Sequence, residues 1–178
     1  MGNTSRTESE SPKYVPGSRT GRFVGSSLSI AWSAGILVFM NYYYQYIAIY
    51  HGQNSNGATT WIRDPILNQD IHQWLPILNL ALFANIVGNI ITIVWDKYLL
   101  REPIKIFIGI FALFAIISLA IIFPFDFSSF PDNLSIDATR TCITVVLVFA
   151  ALGMGIGILV RSIKLIANIS RGKTNYQP

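Results

Sequence analysis

Charge is what this chain has least of. Only 12% of its 178 residues are Asp, Glu, Lys or Arg, whereas 52% are hydrophobic. A typical soluble domain is about 25% charged. Charged residues are absent from four long stretches and are not merely less frequent throughout the chain, which is typical of a membrane protein. A soluble protein with four buried helices would need charged faces on several of them, and these stretches have none.

Cysteine and ionisable residues inside the apolar stretches are equally scarce. Cys142 is the single cysteine, so no disulfide can form within the chain and the paired cysteines of four-helix disulfide oxidases are absent. The cores of the four stretches contain no Asp, Glu or His. This removes the usual residues of proton-coupled exporters, intramembrane proteases and haem-b cytochromes. We therefore predict that the chain is not an enzyme and binds no cofactor.

The sequence instead contains long apolar segments. Spans are predicted at 26–50, 74–98, 104–123 and 139–165, and about 20 apolar residues suffice to cross roughly 30 Å of hydrocarbon. The predicted fold is an all-α membrane protein, a bundle of four transmembrane helices occupying residues 23–166. Residues 1–22 are predicted to be a disordered, basic tail, and residues 167–178 a short second tail.

Basic residues give the orientation, because Lys and Arg are enriched on the cytoplasmic side of membrane proteins. Eleven of the 13 lie in the N-terminal tail, around the turn between the second and third spans or near the C-terminal end, and only Arg63 and Arg140 lie on the other side. Both termini are therefore predicted to be cytoplasmic in a cell membrane, with loops 51–73 and 124–138 outside. The basic residues are too dispersed to predict nucleic-acid binding.

Polar residues recur at helical spacing on the first two spans. We call this set the polar seam: Asn41, Gln45, Asn79, Asn85, Asn89 and Thr92. Taking 1.5 Å of rise per residue, we expect Asn41 to lie within roughly one turn of the level of Asn85, and Gln45 near the level of Asn79. Such amides join helices by hydrogen bonds, and the alternative is a polar path or pocket near mid-membrane.

Small residues mark close helix contacts. Gly88 lies on the polar side of the second span. The fourth span has small residues on two faces, one with Ala151 and Gly155 and the other with Gly153 and Gly157. The fourth helix is therefore expected to touch two partners closely, either two helices of its own bundle or one from a second copy.

Two histidines are the candidates for metal or haem binding. His51 and His72 are predicted at the outer ends of adjacent helices, with Asp64 and Asp70 in the same loop. Imidazole and carboxylate together bind zinc or other divalent metals, and two histidines can hold a haem. No tight ligand spacing is present, and Asp70 with Gln73 also matches a helix-capping box.

Three functional hypotheses follow. The first is a non-enzymatic accessory or scaffold subunit in the lipid bilayer, packing with a membrane-protein partner or with itself through the fourth helix. The second is an oligomeric channel or transporter for a neutral or weakly charged solute. The third is a metal or haem protein that uses the outer histidines.

Overall fold

The computed structural model describes residues 19–55, 58–95, 98–128 and 136–170. Most of the two predicted tails, namely 1–18 and 171–178, lies outside the described residues. Within the described part, 19–22 and 167–170 belong to helices and not to tails.

Four long helices dominate the chain. They are α1 (Arg19–Val38), α2 (Ile71–Val94), α3 (Tyr98–Ile122) and α4 (Ile136–Ser170). After α1 the chain continues through a π-helical turn (Phe39–Tyr43) and a 3-10 turn (Tyr44–Tyr46). Within the described residues, four segments are long and apolar enough to cross a membrane: Phe23–Tyr46, Ile71–Val94, Leu100–Ile122 and Ile136–Ser170. This confirms the predicted number of spans and indicates a multi-pass membrane protein.

The prediction of an all-α fold is wrong for the segment that follows the first span. Residues Ala48–Ser55 (β1) and Ala58–Pro65 (β2) form an antiparallel hairpin, with Tyr50 opposite Arg63. Isoleucine, threonine and aromatic residues, which favour strands, are frequent here. The sequence between the strands is Asn56-Gly57, the dipeptide most typical of two-residue hairpins. We call this end of the molecule the hairpin end.

The hairpin also explains why the first span is shorter than predicted. Residues 48–50 were expected to be helical but belong to β1. The predicted spans 26–50 and 74–98 both lie three to four residues too far along the chain, compared with Phe23–Tyr46 and Ile71–Val94. Pro103, which directly precedes the predicted third span 104–123, lies inside α3.

The helices pack as an open row. Among the described elements, α1 packs on α2, α2 on α3 and α3 on α4, while α1 and α4 make no extensive contact. The closest approach is between α2 and α3 at the buried Gly88, where an added Cβ would lie 2.6 Å from Ile108 Cδ1. At Gly109 of α3, an added Cβ would lie 3.0 Å from Ile158 of α4. The row leaves one side of α1 and most of α4 uncovered.

The main buried cluster lies at the hairpin end. It consists of Leu67, Ile71, Trp74 and Leu75. The Trp74 Nε1–H donates to the Ala115 carbonyl oxygen at 2.9 Å, which ties α2 to α3. The two loops at this end are joined by backbone hydrogen bonds, Asn68 N–H to the Pro124 carbonyl and Asp126 N–H to the Ile66 carbonyl.

The chain turns sharply after α3. Phe123 adopts a left-handed conformation (φ 45°) and donates its N–H to the Leu119 carbonyl, which closes the helix. Proline follows directly, as is common after such a cap. The Arg140 guanidinium lies 5.1 Å from the centre of the Phe123 ring. This contact connects the first turns of α4 to the end of α3.

Candidate functional site

The polar seam lies at the contact between α1 and α2. Asn41 and Asn79 form a reciprocal pair, because Asn41 Nδ2 donates to Asn79 Oδ1 at 2.8 Å and Asn79 Nδ2 donates back to Asn41 Oδ1 at 2.9 Å. Asn41 Nδ2 also donates to the Leu37 carbonyl at 2.7 Å. Both amide oxygens and both amide nitrogens are therefore engaged within the protein.

A second polar cluster lies further along the same contact. Asn85 Nδ2 donates to Ser33 Oγ at 2.6 Å and to Ser29 Oγ at 3.1 Å. Asn89 Nδ2 donates to Asn85 Oδ1 at 2.8 Å and reaches Ser29 Oγ at 3.3 Å. Ser33 is only 2% exposed. The two amide nitrogens of the cluster are thus bonded to side chains from both helices.

The remaining two members of the polar seam do not join it. The Gln45 side chain is exposed, and its contact with the hairpin is through the backbone carbonyl, which accepts a hydrogen bond from Arg63. Thr92 is buried and donates to the Gly88 carbonyl one turn back in α2. Four of the six predicted residues therefore lie together, in two separate groups.

The expected pairs were wrong in register. Asn41 does not face Asn85, and Gln45 does not face Asn79. Both predicted spans were placed too far along the chain, and α1 and α2 run antiparallel. Because the helices are antiparallel, both placement errors displace the predicted register between α1 and α2 in the same direction, so that they add. Two serines of the first span, Ser29 and Ser33, accept the hydrogen bonds of Asn85 and Asn89 and were not predicted. Their spacing of one helical turn is visible in the sequence.

A groove of about 550 Å³ runs beside the Asn41–Asn79 pair. Its lining is mostly apolar and comes from α1, the π-helical turn and α2: Leu37, Asn41, Tyr42, Pro76, Asn79, Leu80 and Phe83. The amides at its wall are already bonded to each other. The groove therefore presents mainly apolar surface, which suits a lipid chain better than a polar solute.

The two histidines are not brought together into one site. His51 lies on β1, with Nδ1 3.3 Å from Asp64 Oδ2 of β2. His72 lies on α2, with Nε2 3.2 Å from the Tyr44 hydroxyl, and its ring meets the Tyr44 ring edge-on. Among the residues that the structure describes, no group of three or more His, Cys, Asp or Glu side chains could hold a metal ion.

Asp70 also behaves differently from the capping-box expectation. It occupies the N-cap of α2 but makes no side-chain cap hydrogen bond. Its carboxylate instead accepts hydrogen bonds from the side chains of Asn68, at 3.0 Å, and Gln73, at 3.1 Å. These bonds organise the turn that leads into α2, which is a structural role.

One carboxyl group at the hairpin end has a shifted pKa. The Ser128 N–H donates to Asp126 Oδ1 at 2.9 Å. This backbone hydrogen bond favours the ionised form and lowers the pKa of Asp126 below its ordinary value of 3.8. The bond stabilises a turn in the loop after α3.

The fourth helix offers the largest uncovered surface. None of its 35 residues is buried. An added Cβ at Gly153, Gly155 or Gly157 would meet nothing within 4 Å. Ala151 and Gly155 are partly covered, whereas Gly153 and Gly157 are exposed. Two faces were predicted to contact partners, and α3 is the one helix of this chain on which α4 packs extensively.

No protein-family model matches this chain, and no curated protein or solved structure is significantly similar to it.

Proposed function

We propose that this chain is a non-enzymatic accessory or scaffold subunit of a membrane assembly, and that it associates through the uncovered side of α4. The observation that carries the proposal is the exposure of that helix. Gly153 and Gly157 provide a surface with free space above it. Small residues allow the backbones of two membrane helices to approach closely.

The polar seam supports a structural role for the amides. In Asn41 and Asn79, each donor and each acceptor finds a partner on the other residue. Asn85 and Asn89 are bonded to serines and to each other. A solute path would need polar groups directed to an open space, and these groups are directed at each other. The second hypothesis, a channel or transporter, receives no such support.

We place the protein in a cell membrane with both termini in the cytoplasm. The support is the distribution of basic residues, eleven on the tail side against two at the hairpin end. Thr60 is exposed on β2 and serves as a reporter. In a Cys142→Ser background, a Thr60→Cys chain in intact cells should react with a membrane-impermeant maleimide. Labelling only after the membrane is opened would contradict this orientation.

Native mass spectrometry after gentle purification from the native membrane tests the proposal. A reproducible, stoichiometric complex with another membrane protein or with one further copy is the expected result. A monomer that holds only lipid would contradict an accessory or scaffold role. A closed ring of copies enclosing a central opening would favour the channel hypothesis instead.

A further inference from the structure

The β-hairpin is joined to a membrane span at each end. β1 begins at Ala48, two residues after the first span ends at Tyr46. β2 ends at Pro65, six residues before α2 begins at Ile71. The two strands therefore start and finish near the boundary of the hydrocarbon layer, where the lipid headgroups lie.

One face of the hairpin carries two large aromatic side chains and a cation. Residues paired across antiparallel strands point to the same side of the sheet, and Tyr50 pairs with Arg63 and Gly52 with Trp61. We call this surface the aromatic face: Tyr50, Gly52, Trp61 and Arg63. Tyr50 is 52% and Trp61 70% exposed. An added Cβ at Gly52 would lie 3.8 Å from Trp61 Cζ3, so the indole ring lies over the glycine.

The opposite face of the hairpin presents polar groups. His51 Nδ1 lies 3.3 Å from Asp64 Oδ2. Two isoleucines on this side, Ile49 and Ile62, are partly covered, whereas His51 and Thr60 are exposed. Since such polar groups lose hydration when they leave water, this face is the one suited to the aqueous side.

Arg63 shows which face is directed toward the membrane. Its guanidinium donates to the Gln45 backbone carbonyl and lies 5.6 Å from the centre of the Tyr46 ring. Gln45 and Tyr46 are the last two residues of the first span. The aromatic face is therefore the side of the hairpin that is turned back toward the end of that span.

The hairpin has little support from the rest of the chain. Among the described residues, its two strands pack extensively only on each other. An isolated two-stranded hairpin is at best marginally stable in water. Because the rings of Tyr50 and Trp61 are uncovered, a surface outside the chain is needed to bury them and to stabilise the hairpin.

Lipid is the surface that lies at this depth. Tyr42, Tyr43 and Tyr46 are 71%, 51% and 57% exposed at the end of the first span, where the surface of a span contacts lipid. Tyr50 follows four residues later, so the aromatic face continues this surface beyond the span.

The length of the strands favours a hairpin that runs along the membrane. Trp61 opposes Gly52, which lies about 20 Å of extended chain beyond Tyr46. The headgroup layer is only about 5 to 8 Å thick on each side of the bilayer. An upright hairpin would carry the exposed indole out of this layer into water, whereas a flat one keeps both aromatic rings within it.

We infer that the aromatic face rests on the lipid headgroup layer, with the His51 side of the hairpin toward water. Tyrosine and tryptophan favour this level of a membrane, because each has an apolar ring and a polar group that stays hydrated. The Arg63 guanidinium has five N–H donors, so beyond its bond to Gln45 it can also bind a lipid phosphate. This inference is independent of assembly through α4.

A nitroxide label on a single cysteine tests the inference, in the Cys142→Ser background and with the chain in vesicles of phosphatidylcholine and phosphatidylglycerol. Electron paramagnetic resonance compares collisions of the label with molecular oxygen, which concentrates in lipid, and with a nickel chelate, which stays in water. Tyr50→Cys reports on the aromatic face and retains Trp61. Thr60→Cys, on the opposite face, is the matched control. The oxygen-to-nickel collision ratio should be several-fold higher at position 50 than at position 60.

Trp61→Cys, next to the control residue in the chain, carries the same expectation if Tyr50→Cys does not fold, which circular dichroism shows. Equal ratios on the two faces of a folded chain would overturn the inference, because the hairpin would then not rest on lipid through one face. Low access of both oxygen and nickel at positions 50 and 61 would also overturn it, since protein and not lipid would then cover the aromatic face.

Discussion

The reciprocal amide pair between Asn41 and Asn79 allows the most quantitative prediction. Replacing Asn79 with leucine removes two interhelical hydrogen bonds, of 2.8 and 2.9 Å. Such bonds contribute about 0.6 to 2 kcal/mol each inside a membrane, so Asn79→Leu should lower the free energy of unfolding by about 1 to 4 kcal/mol. The measurement is a reversible unfolding titration in mixed detergent micelles, followed by helix content.

Gln45→Leu is the matched control, because Gln45 is an amide of the first span, as Asn41 is, but its side chain is exposed. It should leave the free energy of unfolding nearly unchanged. The double variant Asn41→Leu with Asn79→Leu should cost less than the sum of the two single variants, since each single change already breaks the same pair. Equal effects of Asn79→Leu and Gln45→Leu, or strictly additive effects, would refute the structural role of the pair.

Three further predictions concern packing and the hairpin end. Gly88→Val forces a side chain against α3 and should lower the free energy of unfolding by about 1 to 3 kcal/mol. The added side chain of Gly153→Val meets open space, so this control should leave the free energy of unfolding nearly unchanged in the same titration. Trp74→Phe removes one buried hydrogen bond and should cost about 0.5 to 1.5 kcal/mol; an unchanged midpoint would argue against that bond. Because its pKa is lowered in the folded chain, ionised Asp126 stabilises the fold at pH values above 3.8, the ordinary pKa of this group. This contribution is lost as the pH falls through the lowered pKa. The Ser128 amide resonance should therefore shift at a pH below 3.8, and Asp126→Asn should abolish that shift.

The spans could be predicted because a long uncharged run has few physical alternatives. The hairpin was missed, although its signals are in the sequence. Ile49 and Tyr50 continue the apolar run of the first span without interruption, so hydropathy alone extends the helix over them. The Asn56-Gly57 dipeptide between two segments rich in Ile, Thr and aromatic residues was the available indication of a hairpin.

The polar seam could be predicted only in part. Periodicity gives the face of a helix to which Asn85 and Asn89 belong, but it does not give the register against a neighbour. The register depends on where each span begins, and an error of one turn changes every partner. Ser29 and Ser33 were overlooked because serine is small and common in helices, so its role as an acceptor becomes visible only once the register is known.

The open arrangement of the helices was beyond the reach of sequence patterns. Small residues on α4 predicted close contacts but could not say whether another helix of this chain or another protein supplies them. The structure shows α3 beside one face of α4, and an exposed opposite face with Gly153 and Gly157. Which helices become neighbours depends on the packing of all four, and no single span encodes it.

The central claim is that assembly takes place through α4, and a pair of matched glycine variants tests it most directly. Gly153 on α4 and Gly35 on α1 both have open space where a Cβ would be added. Isoleucine at either position should therefore leave the fold of the single chain intact. Native mass spectrometry of complexes purified from membranes should show that Gly153→Ile abolishes the assembly and that Gly35→Ile retains it. Retention of the complex by Gly153→Ile, or its loss in both variants, would contradict the claim.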